Sequence, residues 1–425
     1  MPKSCVAALV LSLVFCRPVA AAQNEKRYDV SATGAVGDGQ TLGTVAIQSA
    51  IDRCAADGGG VVVVPKGTFL SGALFLKQGV HLLVEKDGML KGSDRLEEYL
   101  PPNPAERAQP FALINADGLS DVQISGEGTI DGNGRRWWDL YWQLRRAGDP
   151  DLNFKARRPR LIKISNCKQV RVTGLKLQNQ AVWCLHLLFC EDVVAENLTI
   201  RAPHDAPSSD GIDIDSSRHV KVIGCDIDVD DDCISIKAGV APDPARVGRP
   251  SEDILIEKTR FGYGHGGADI GSETFGGIRN VEVRDCVAEA GNLAPIRFKT
   301  QPGRGGVVEN IVFRNFELRD VRQAVELNMQ WSSGTGTVQR DTGFVPVFRN
   351  IKMINVSGTP NSVGSIRGLA ESPIEGIAFE NCTLTAGRGL RIENAANVDV
   401  SGLKMLLPEG ATPFDLHNAT TRPAR

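Results

Sequence analysis

The chain has 425 residues, 45 of them glycine, with only 6% aromatic residues and a formal net charge of −3. Without a broad basic surplus it has no means of making many phosphate contacts, which excludes nucleic acid as a partner. The length and composition fit one long all-β domain. No Cys-x-x-Cys or Cys/His spacing indicates a metal site, so we expect neither a metal nor another cofactor.

The first 22 residues have the features of a signal peptide. Lys3 supplies the positive charge, residues 6–15 form an apolar core, and Ala20–Ala22 offer a small-residue cleavage site. The apolar run is too short to span a membrane. We therefore expect export, to the periplasm or the exterior, of a monomeric domain over residues 23–425 with no membrane association.

A short amphipathic helix is predicted ahead of the main repeat. Residues 44–54 place apolar side chains at helical spacing, and the pattern ends before Asp57 and three glycines. Such a helix would cap the open end of a stack of strands, whose first members are 61–64 and 80–84.

The segment 131–160 departs from the surrounding pattern because it is rich in aromatic and basic residues. Two interpretations stay open: a surface insertion packed by its own aromatic side chains, or a wall beside a cleft that contacts an acidic sugar chain. The residues concerned are Trp137, Trp138, Tyr141, Trp142, Lys155, Arg157, Arg158 and Arg160.

A repeated pattern covers most of the chain. Apolar residues alternate, a Gly, Asn, Asp or Lys follows, and two more apolar positions complete the unit, as in 170–177, 193–200, 220–227 and 311–318. Successive copies begin 21 to 40 residues apart. Alternation indicates strands with one buried face, and repeats of this length indicate stacked units. The pattern predicts a right-handed parallel β-helix, because a β-propeller needs about 40–45 residues for each four-stranded repeat.

A second strand in each coil predicts a row of polar groups. Its apolar positions point inward, so the alternate positions point outward and stack on rungs about 4.8 Å apart. These positions are His186, Asp213, Ser235, Asp269, Arg297 and Glu326, with Asp215, Lys237, Lys299 and Asn328 two residues further on.

Three carboxylates stand out beside this row. Asp210 lies 22 residues before Asp232, about one coil, and Asp231 precedes Asp232 directly. Like charges held together raise one another's pKa, which suits a glycosidase that keeps one acid protonated and another ionised. His265, Arg297 and Lys299 fall on the next rungs.

Eight cysteines remain beyond the signal segment, mostly at inward or bend positions. We expect buried free thiols; disulfides are the alternative in an exported protein.

The motifs resemble those of glycoside hydrolase family 28, the polygalacturonase family of right-handed β-helices. The resemblance covers nearly the whole mature chain, from Gly34-Ala-Val-Gly-Asp-Gly39 through Gly126-Glu-Gly-Thr-Ile-Asp-Gly132. Four site motifs follow in order: Ser209-Asp-Gly211, Asp231-Asp-Cys233, Gly264-His-Gly266 and Arg297-Phe-Lys299.

The resemblance implies inverting hydrolysis of α-galacturonides in pectin, without a metal. It implies that Asp231 is the general acid, that Asp210 and Asp232 activate water, and that His265 sets the acid's protonation. Arg297 and Lys299 would hold the substrate carboxylate, a role that their charge also supports.

Further substrate contacts are expected at His186 and Trp331. The family's Tyr after Arg-x-Lys is missing, and Trp331 stands as its replacement. The family's Asn-Thr-Asp is Ser208-Ser-Asp210 here, which indicates a specialised subfamily, with cleavage of end residues or of branched pectin as options.

Other functions are also open. The substrate could be rhamnogalacturonan rather than galacturonan, with endo or exo action. A Ca²⁺-dependent pectate lyase would use the Asp cluster as metal ligands, and a non-catalytic carbohydrate-binding β-helix would bind without cleaving.

Overall fold

The computed structural model describes residues 26–102, 108–332 and 343–422. The expected signal peptide lies outside the described residues. Within them, no helix is both long enough and apolar enough to pass through a membrane.

The described chain is dominated by short strands. The first are β1 (Arg27–Asp29), β2 (Asp38–Leu42), β3 (Gly60–Val64), β4 (Gly67–Ser71), β5 (Leu74–Phe75), β6 (Val80–Val84), β7 (Gly88–Gly92), β8 (Ile114–Asp117), β9 (Ser120–Gly126), β10 (Thr129–Asp131) and β11 (Ile162–Ser165). The middle coils contain β12 (Lys168–Thr173), β13 (Lys176–Gln178), β14 (Leu185–Leu188), β15 (Glu191–Glu196), β16 (Thr199–Arg201), β17 (Ile212–Asp215), β18 (Arg218–Ile223), β19 (Asp226–Asp228), β20 (Asp232–Lys237), β21 (Ser251–Glu257), β22 (Arg260–Phe261) and β23 (Gly264–Gly271). The last coils contain β24 (Ile278–Ala288), β25 (Asn292–Lys299), β26 (Val307–Leu318), β27 (Val325–Asn328), β28 (Val347–Gly358), β29 (Ser362–Arg367), β30 (Ile374–Glu380), β31 (Cys382–Thr385), β32 (Arg388–Asp399), β33 (Leu403–Leu406) and β34 (Phe414–Arg422).

All strand pairs are parallel, and each strand pairs with the equivalent strand one coil away. One stack of strands positions the candidate site and is called the site sheet. It consists of β5, β8, β11, β14, β17, β20, β23, β25, β27, β29, β32 and β34. The predicted all-β parallel β-helix is confirmed.

The core is a continuous column of apolar side chains inside the coils. Ile212 pairs in register with Ile234, and Ile214 pairs with Ile236. All four are fully buried. Each inward apolar side chain therefore stacks on an apolar side chain of the neighbouring coil, which explains why the alternation recurs from coil to coil.

The residue in the middle of each repeat makes the bend that the pattern predicts. Gly174, Asn197 and Lys258 have φ values of 78°, 55° and 53°. The asparagines add a ladder: Asn355 donates to Asn315 over 2.9 Å, and Asn381 donates to Asn355 over 2.8 Å. Side-chain hydrogen bonds between coils thus stabilise the left-handed backbone that Asn tolerates.

The predicted capping helix is present as α1 (Thr44–Ala56), which buries Ile47, Ala50, Ile51 and Cys54. The insertion forms α2 (Arg135–Arg146) and α3 (Leu152–Lys155). Short 3-10 helices occupy Val30–Thr33, Leu96–Tyr99 and Pro244–Arg246.

The expectation of buried free thiols agrees with the structure. The eight described cysteines are all buried and form no disulfide. They are Cys54, Cys167, Cys184, Cys190, Cys225, Cys233, Cys286 and Cys382.

Close stacking of the coils predicts a severe effect of Gly126→Ala. The φ of Gly126 is 133°, and an added Cβ would lie 1.9 Å from the carbonyl oxygen of Val84 on the preceding coil. We expect a loss of about 3 kcal/mol or more in unfolding free energy, measured by urea unfolding followed by circular dichroism.

Gly34→Ala is the matched control. Gly34 has a φ of 97°, but nothing lies within 4 Å of an added Cβ. Because only backbone strain is added, the free energy of unfolding of Gly34→Ala should fall by about 1–2 kcal/mol. Equal losses for the two variants would contradict the role of coil-to-coil contact.

Candidate active site

Register brings the predicted carboxylates together on adjacent rungs of the site sheet. The amide of Gly211 donates to the carbonyl of Asp232 over 3.0 Å, so Asp210 and Asp232 begin neighbouring rungs. The amide of His265 donates to the carbonyl of Asp231 over 3.0 Å. The four residues predicted as catalytic therefore start three successive coils at one edge of the sheet.

The outward row is not a solvated face. The predicted register is correct, since His186, Asp213, Ser235, Asp269 and Arg297 pair successively. However, the side chains of this row from His186 to Asp269 are buried, as are Lys237 and Lys299. These groups point away from the apolar core, but neighbouring side chains cover them, which alternation alone does not reveal.

Asp231 and His265 form the exposed part of the site. Their side chains are 27% and 43% exposed, and His265 Nδ1 lies 3.1 Å from Asp231 Oδ1. Burial opposes ionisation of Asp231, but the hydrogen bond with His265 and the charge of Lys299 hold its pKa below the ordinary value. The same hydrogen bond raises the pKa of His265 against the opposing effect of burial. These opposite shifts of the two pKa values favour a proton on His265 over one on Asp231.

The pKa of Asp210 is shifted in the opposite direction to that of Asp231. Burial raises its pKa to about 6, although the charge of Lys237 lowers it. Lys237 Nζ lies 3.1 Å from Asp210 Oδ2 and also donates to Asp213. The indole of Trp183 covers the ammonium, with its ring centroid 3.6 Å from Nζ. Asp210 is thus a carboxylate whose charge depends on one buried lysine.

Asp232 is neutralised from the following rungs. Lys299 Nζ donates to it, and the Arg297 guanidinium lies 3.5 Å away. Arg297 also donates to Glu326 over 2.9 Å and lies 3.7 Å from Asp269. Both predicted substrate-binding cations are therefore already engaged with protein carboxylates, and they compensate the charge that the cluster concentrates.

The two remaining predicted contacts differ in accessibility. Trp331 is half-buried and lies beside Lys299, whose Nζ is 5.6 Å from its ring centroid. His186 is buried, with Nε2 3.3 Å from Asp215 Oδ2 and Trp183 packed edge-on at 5.0 Å. Burial lowers the pKa of His186 to about 4. The structure thus places His186 beneath the surface, which corrects its expected position as a direct substrate contact.

The insertion partly fits each of its two interpretations. Tyr141 and Trp142 pack edge-on at 5.2 Å, as expected for a segment packed by its own aromatics. Trp137 and Trp138 are instead buried in the core of the coils, and Trp138 Nε1 donates to the Gln180 carbonyl over 3.1 Å. The last basic residues of the insertion face the site: Arg158 lies over Tyr141 at 4.6 Å and donates to the carbonyls that flank Asp210's loop, at Ala181 and Pro207.

Sequence reasoning does not identify Lys237, Trp183 or Asp230 as site residues. Burial raises the pKa of Asp230 to about 6. Strand register gives a partial signal for Lys237. It pairs with Asp215, on the coil that follows the one containing Asp213. Its reach back to Asp210 depends on a side-chain conformation that no pattern encodes.

Among the residues that the structure describes, two groups of side chains have the donor types of a cation site. Asp231, Asp232 and His265 have donor atoms within 4.8 Å of one another, as do Glu191, Asp192 and His219. In the first group, Lys299 already donates to Asp232 and His265 to Asp231. A hard divalent cation would displace these positive groups, so the donor set suits a charge-compensated acid cluster better than a metal centre.

Comparison with known proteins assigns this chain to a family. The model of glycosyl hydrolases family 28 matches residues 54–402. A probable polygalacturonase of Vitis vinifera is 29% identical, over 89% of this chain and 78% of that protein. An exo-poly-alpha-D-galacturonosidase of Dickeya chrysanthemi is 28% identical, over 80% of this chain and 63% of that protein. The structure of a hyperthermoactive exopolygalacturonase from Thermotoga maritima is similar, with a TM-score of 0.76, 26% identity, and coverage of 93% of this chain and 92% of that one.

The fold and the family model together define a parallel β-helix glycoside hydrolase. The chain belongs to glycosyl hydrolases family 28. Carboxylate pairs are the catalytic groups of most glycoside hydrolases, and the clustered Asp210, Asp231 and Asp232 are the carboxylates that register brings together.

Lys237→Met should shift the acidic limb of the pH–activity profile to higher pH. Lys237 lowers the pKa of Asp210, which is about 6 in the parent. Without the cation that pKa rises further, so the ionised base appears only at higher pH. The measurement is kcat/KM against pH, with folding checked by circular dichroism.

Lys221→Met is the control, because Lys221 is exposed on β18, outside the site sheet. Its profile should match the parent. An unchanged acidic limb in a folded Lys237→Met variant would mean that Asp210 does not control that limb.

Proposed function

We propose that this protein hydrolyses α-galacturonosidic bonds of pectin with inversion at the anomeric carbon. The observation that supports this most directly is the division of the cluster into an exposed Asp231–His265 pair and the buried carboxylates Asp210 and Asp232. One part holds a proton and faces the substrate, and the other is positioned to accept a proton. The named activities of the similar proteins support galacturonan as the polymer.

The proposed reaction is a single displacement. Water attacks the anomeric carbon and gives a proton to Asp210, assisted by Asp232. His265, which holds the shared proton in the free protein, passes it to Asp231 as Asp231 protonates the leaving glycosidic oxygen. The glycosidic bond breaks as the bond to water oxygen forms, so the configuration inverts and no covalent intermediate is needed.

The pKa shifts imply a limited working range of pH. Ionisation of Asp210 near pH 6 switches on the base. Deprotonation of His265, whose pKa is raised, removes the proton reserve at higher pH. A bell-shaped dependence of kcat/KM on pH follows.

Arg297 and Lys299 are proposed to recognise the carboxylate of the sugar. Arg297 has 13% of its side chain exposed and Lys299 has 8%, so only a small part of each faces the cleft. Trp331 beside Lys299 supplies an aromatic surface at the same place. We propose that the substrate carboxylate competes with Asp232, Asp269 and Glu326 for these cations.

The other substrates and functions make distinct predictions. Rhamnogalacturonan hydrolysis would release rhamnose-containing fragments. A pectate lyase would leave an unsaturated product and lose activity in chelator, and a binding protein would leave all polymers intact. Product analysis from polygalacturonate and rhamnogalacturonan over time separates these, and it also separates endo from exo action.

We also propose that the protein acts outside the cytoplasm, in the periplasm or beyond the cell, as a monomer. The signal-like residues 1–22 support export, and a polymeric substrate is found outside the cell. N-terminal sequencing of exported protein should begin near Gln23, and light scattering should give the mass of one chain.

Asp231→Asn should remove nearly all turnover and leave the fold intact. The amide is nearly isosteric but cannot deliver a proton, and general acid catalysis contributes about 10²–10⁴ in rate. The measurement is kcat on polygalacturonate, with circular dichroism to confirm folding. Asp228→Asn, on the neighbouring strand β19, is a control of the same chemistry, and equal loss in both variants would remove the specific role of Asp231.

The anomer formed first should be β. Single displacement at an α-linkage inverts the centre, and proton NMR during early turnover identifies the product. An α-anomer would require a covalent intermediate and a different role for one aspartate.

Methyl-esterified pectin should be a poor substrate, because the ester removes the charge that Arg297 and Lys299 recognise. Arg297→Met should reduce kcat/KM on free polygalacturonate about ten-fold or more and affect the esterified polymer much less. Arg349→Met, an exposed arginine on β28, is the control. Equal turnover of free and esterified polymer by the parent would contradict carboxylate recognition.

A further inference from the structure

Two residues continue the catalytic column beyond the cluster. In register, Ile162 pairs with Leu185, Leu185 with Ile212, and Ile212 with Ile234. The residues two positions earlier on these rungs are, in order, Arg160, Trp183, Asp210 and Asp232. Backbone hydrogen bonds maintain the column, since Leu161 donates to the Trp183 carbonyl over 3.1 Å and Cys184 donates to the Asp210 carbonyl over 2.8 Å.

Arg160 is a cation without an anionic partner in the described part of the chain. Its Nε is buried and lacks a hydrogen-bond partner, and among residues 26–102, 108–332 and 343–422 no carboxylate forms an ion pair with it. Burial lowers its pKa, although the more distant Asp213 and Asp215 oppose that effect. Arg297 and Lys299, by contrast, are each paired with carboxylates. An arginine that is desolvated but unpaired has its hydrogen-bonding capacity available for an incoming anion.

Trp183 fixes the position of this guanidinium. The Arg160 guanidinium carbon lies 4.6 Å from the Trp183 ring centroid, and Lys237 Nζ lies 3.6 Å from the same centroid. Cation–π contacts thus join Arg160 to the lysine that binds Asp210. Residue 160 lies two rungs before Asp210, about 10 Å along the stack, and its guanidinium lies over the Trp183 ring of the intervening rung.

We propose that Arg160, oriented by Trp183, binds the carboxylate of a second uronic acid residue of the substrate chain. This position lies on the opposite side of Asp210 and Asp232 from Arg297 and Lys299, which follow on β25. The inference rests on the proposed function and extends it: the site takes an acidic oligosaccharide that has uronates on both sides of the bond to be cleaved.

The geometry gives Arg160 a binding role without a proton-transfer role. An arginine stays charged throughout the working range of pH and cannot act as acid or base there. Loss of its contact should therefore raise KM for substrates that reach it, and should leave kcat and both limbs of the pH profile nearly unchanged. A variant that merely loosened Asp210 would instead change kcat and the acidic limb.

Arg160→Met is the test, because methionine preserves an apolar stem against Trp183 and removes the charge. With galacturonate oligomers as substrates, we expect KM to rise about ten-fold, kcat to change less than about two-fold, and Arg160→Lys to recover part of the loss. Calorimetric binding of the oligomers and of monomeric galacturonate to the Asp231→Asn full chain gives a second measure. The monomer, which can occupy the Arg297 side alone, should lose much less affinity than the oligomers.

Lys404→Met is the matched control, since Lys404 is exposed on β33, away from the site sheet. Its KM should equal that of the parent. If Arg160→Met fails to fold, Arg160→Gln takes its place, with the same expected rise in KM.

An unchanged KM for oligomers in the folded Arg160 variant would overturn the inference. Loss of monomer and oligomer binding in equal measure would overturn it too, because it would show general damage to the site. Failure of the proposed function is a separate result: the parent would then not cleave polygalacturonate at all, whichever residue stands at position 160.

Discussion

The structure depends on the parallel stacking of coils with their residues in register. Each coil places the same strand position above its counterpart, about 4.8 Å away. For apolar positions such as Ile212 and Ile234 this builds the core. For charged positions it brings like charges to the shortest distance that a sheet allows. Asp210 and Asp232 meet for this reason, and their repulsion must be compensated by cations from neighbouring rungs.

The compensating cations divide the cluster into groups with different chemistry. Lys237 reaches Asp210 and Asp213, and Lys299 reaches Asp232. Asp231, one residue from Asp232, points to the exposed side and meets His265 instead. A single Asp-Asp pair thus supplies one carboxylate to the buried lysine and one to the exposed histidine. The proposed acid and base functions follow from these different partners.

The same stacking constrains the backbone at the bends. Gly126 approaches Val84 too closely for a side chain, whereas the asparagine ladder at Asn315, Asn355 and Asn381 uses the repeat to form hydrogen bonds between coils. The clustered carboxylates, placed at the ends of such closely stacked strands, keep their spacing without support from a ligand. That rigidity suits a site whose electrostatics depend on contacts of about 3 Å.

The sequence by itself determined the coil, the capping helix and the register. Alternation of apolar residues with a Gly, Asn or Asp bend recurs only if strands stack, and the 22-residue step from Asp210 to Asp232 then aligns them on neighbouring rungs. Tertiary structure decided which outward groups are covered, which cation meets which carboxylate, and that Asp231 pairs with His265. His186 shows the difference: its outward direction follows from alternation, but its burial against Trp183 and Asp215 depends on residues from other coils. The partners of long side chains such as Lys237 and Arg160 depend on three-dimensional distances and on desolvation. Neither quantity can be read from the spacing of residues along the chain.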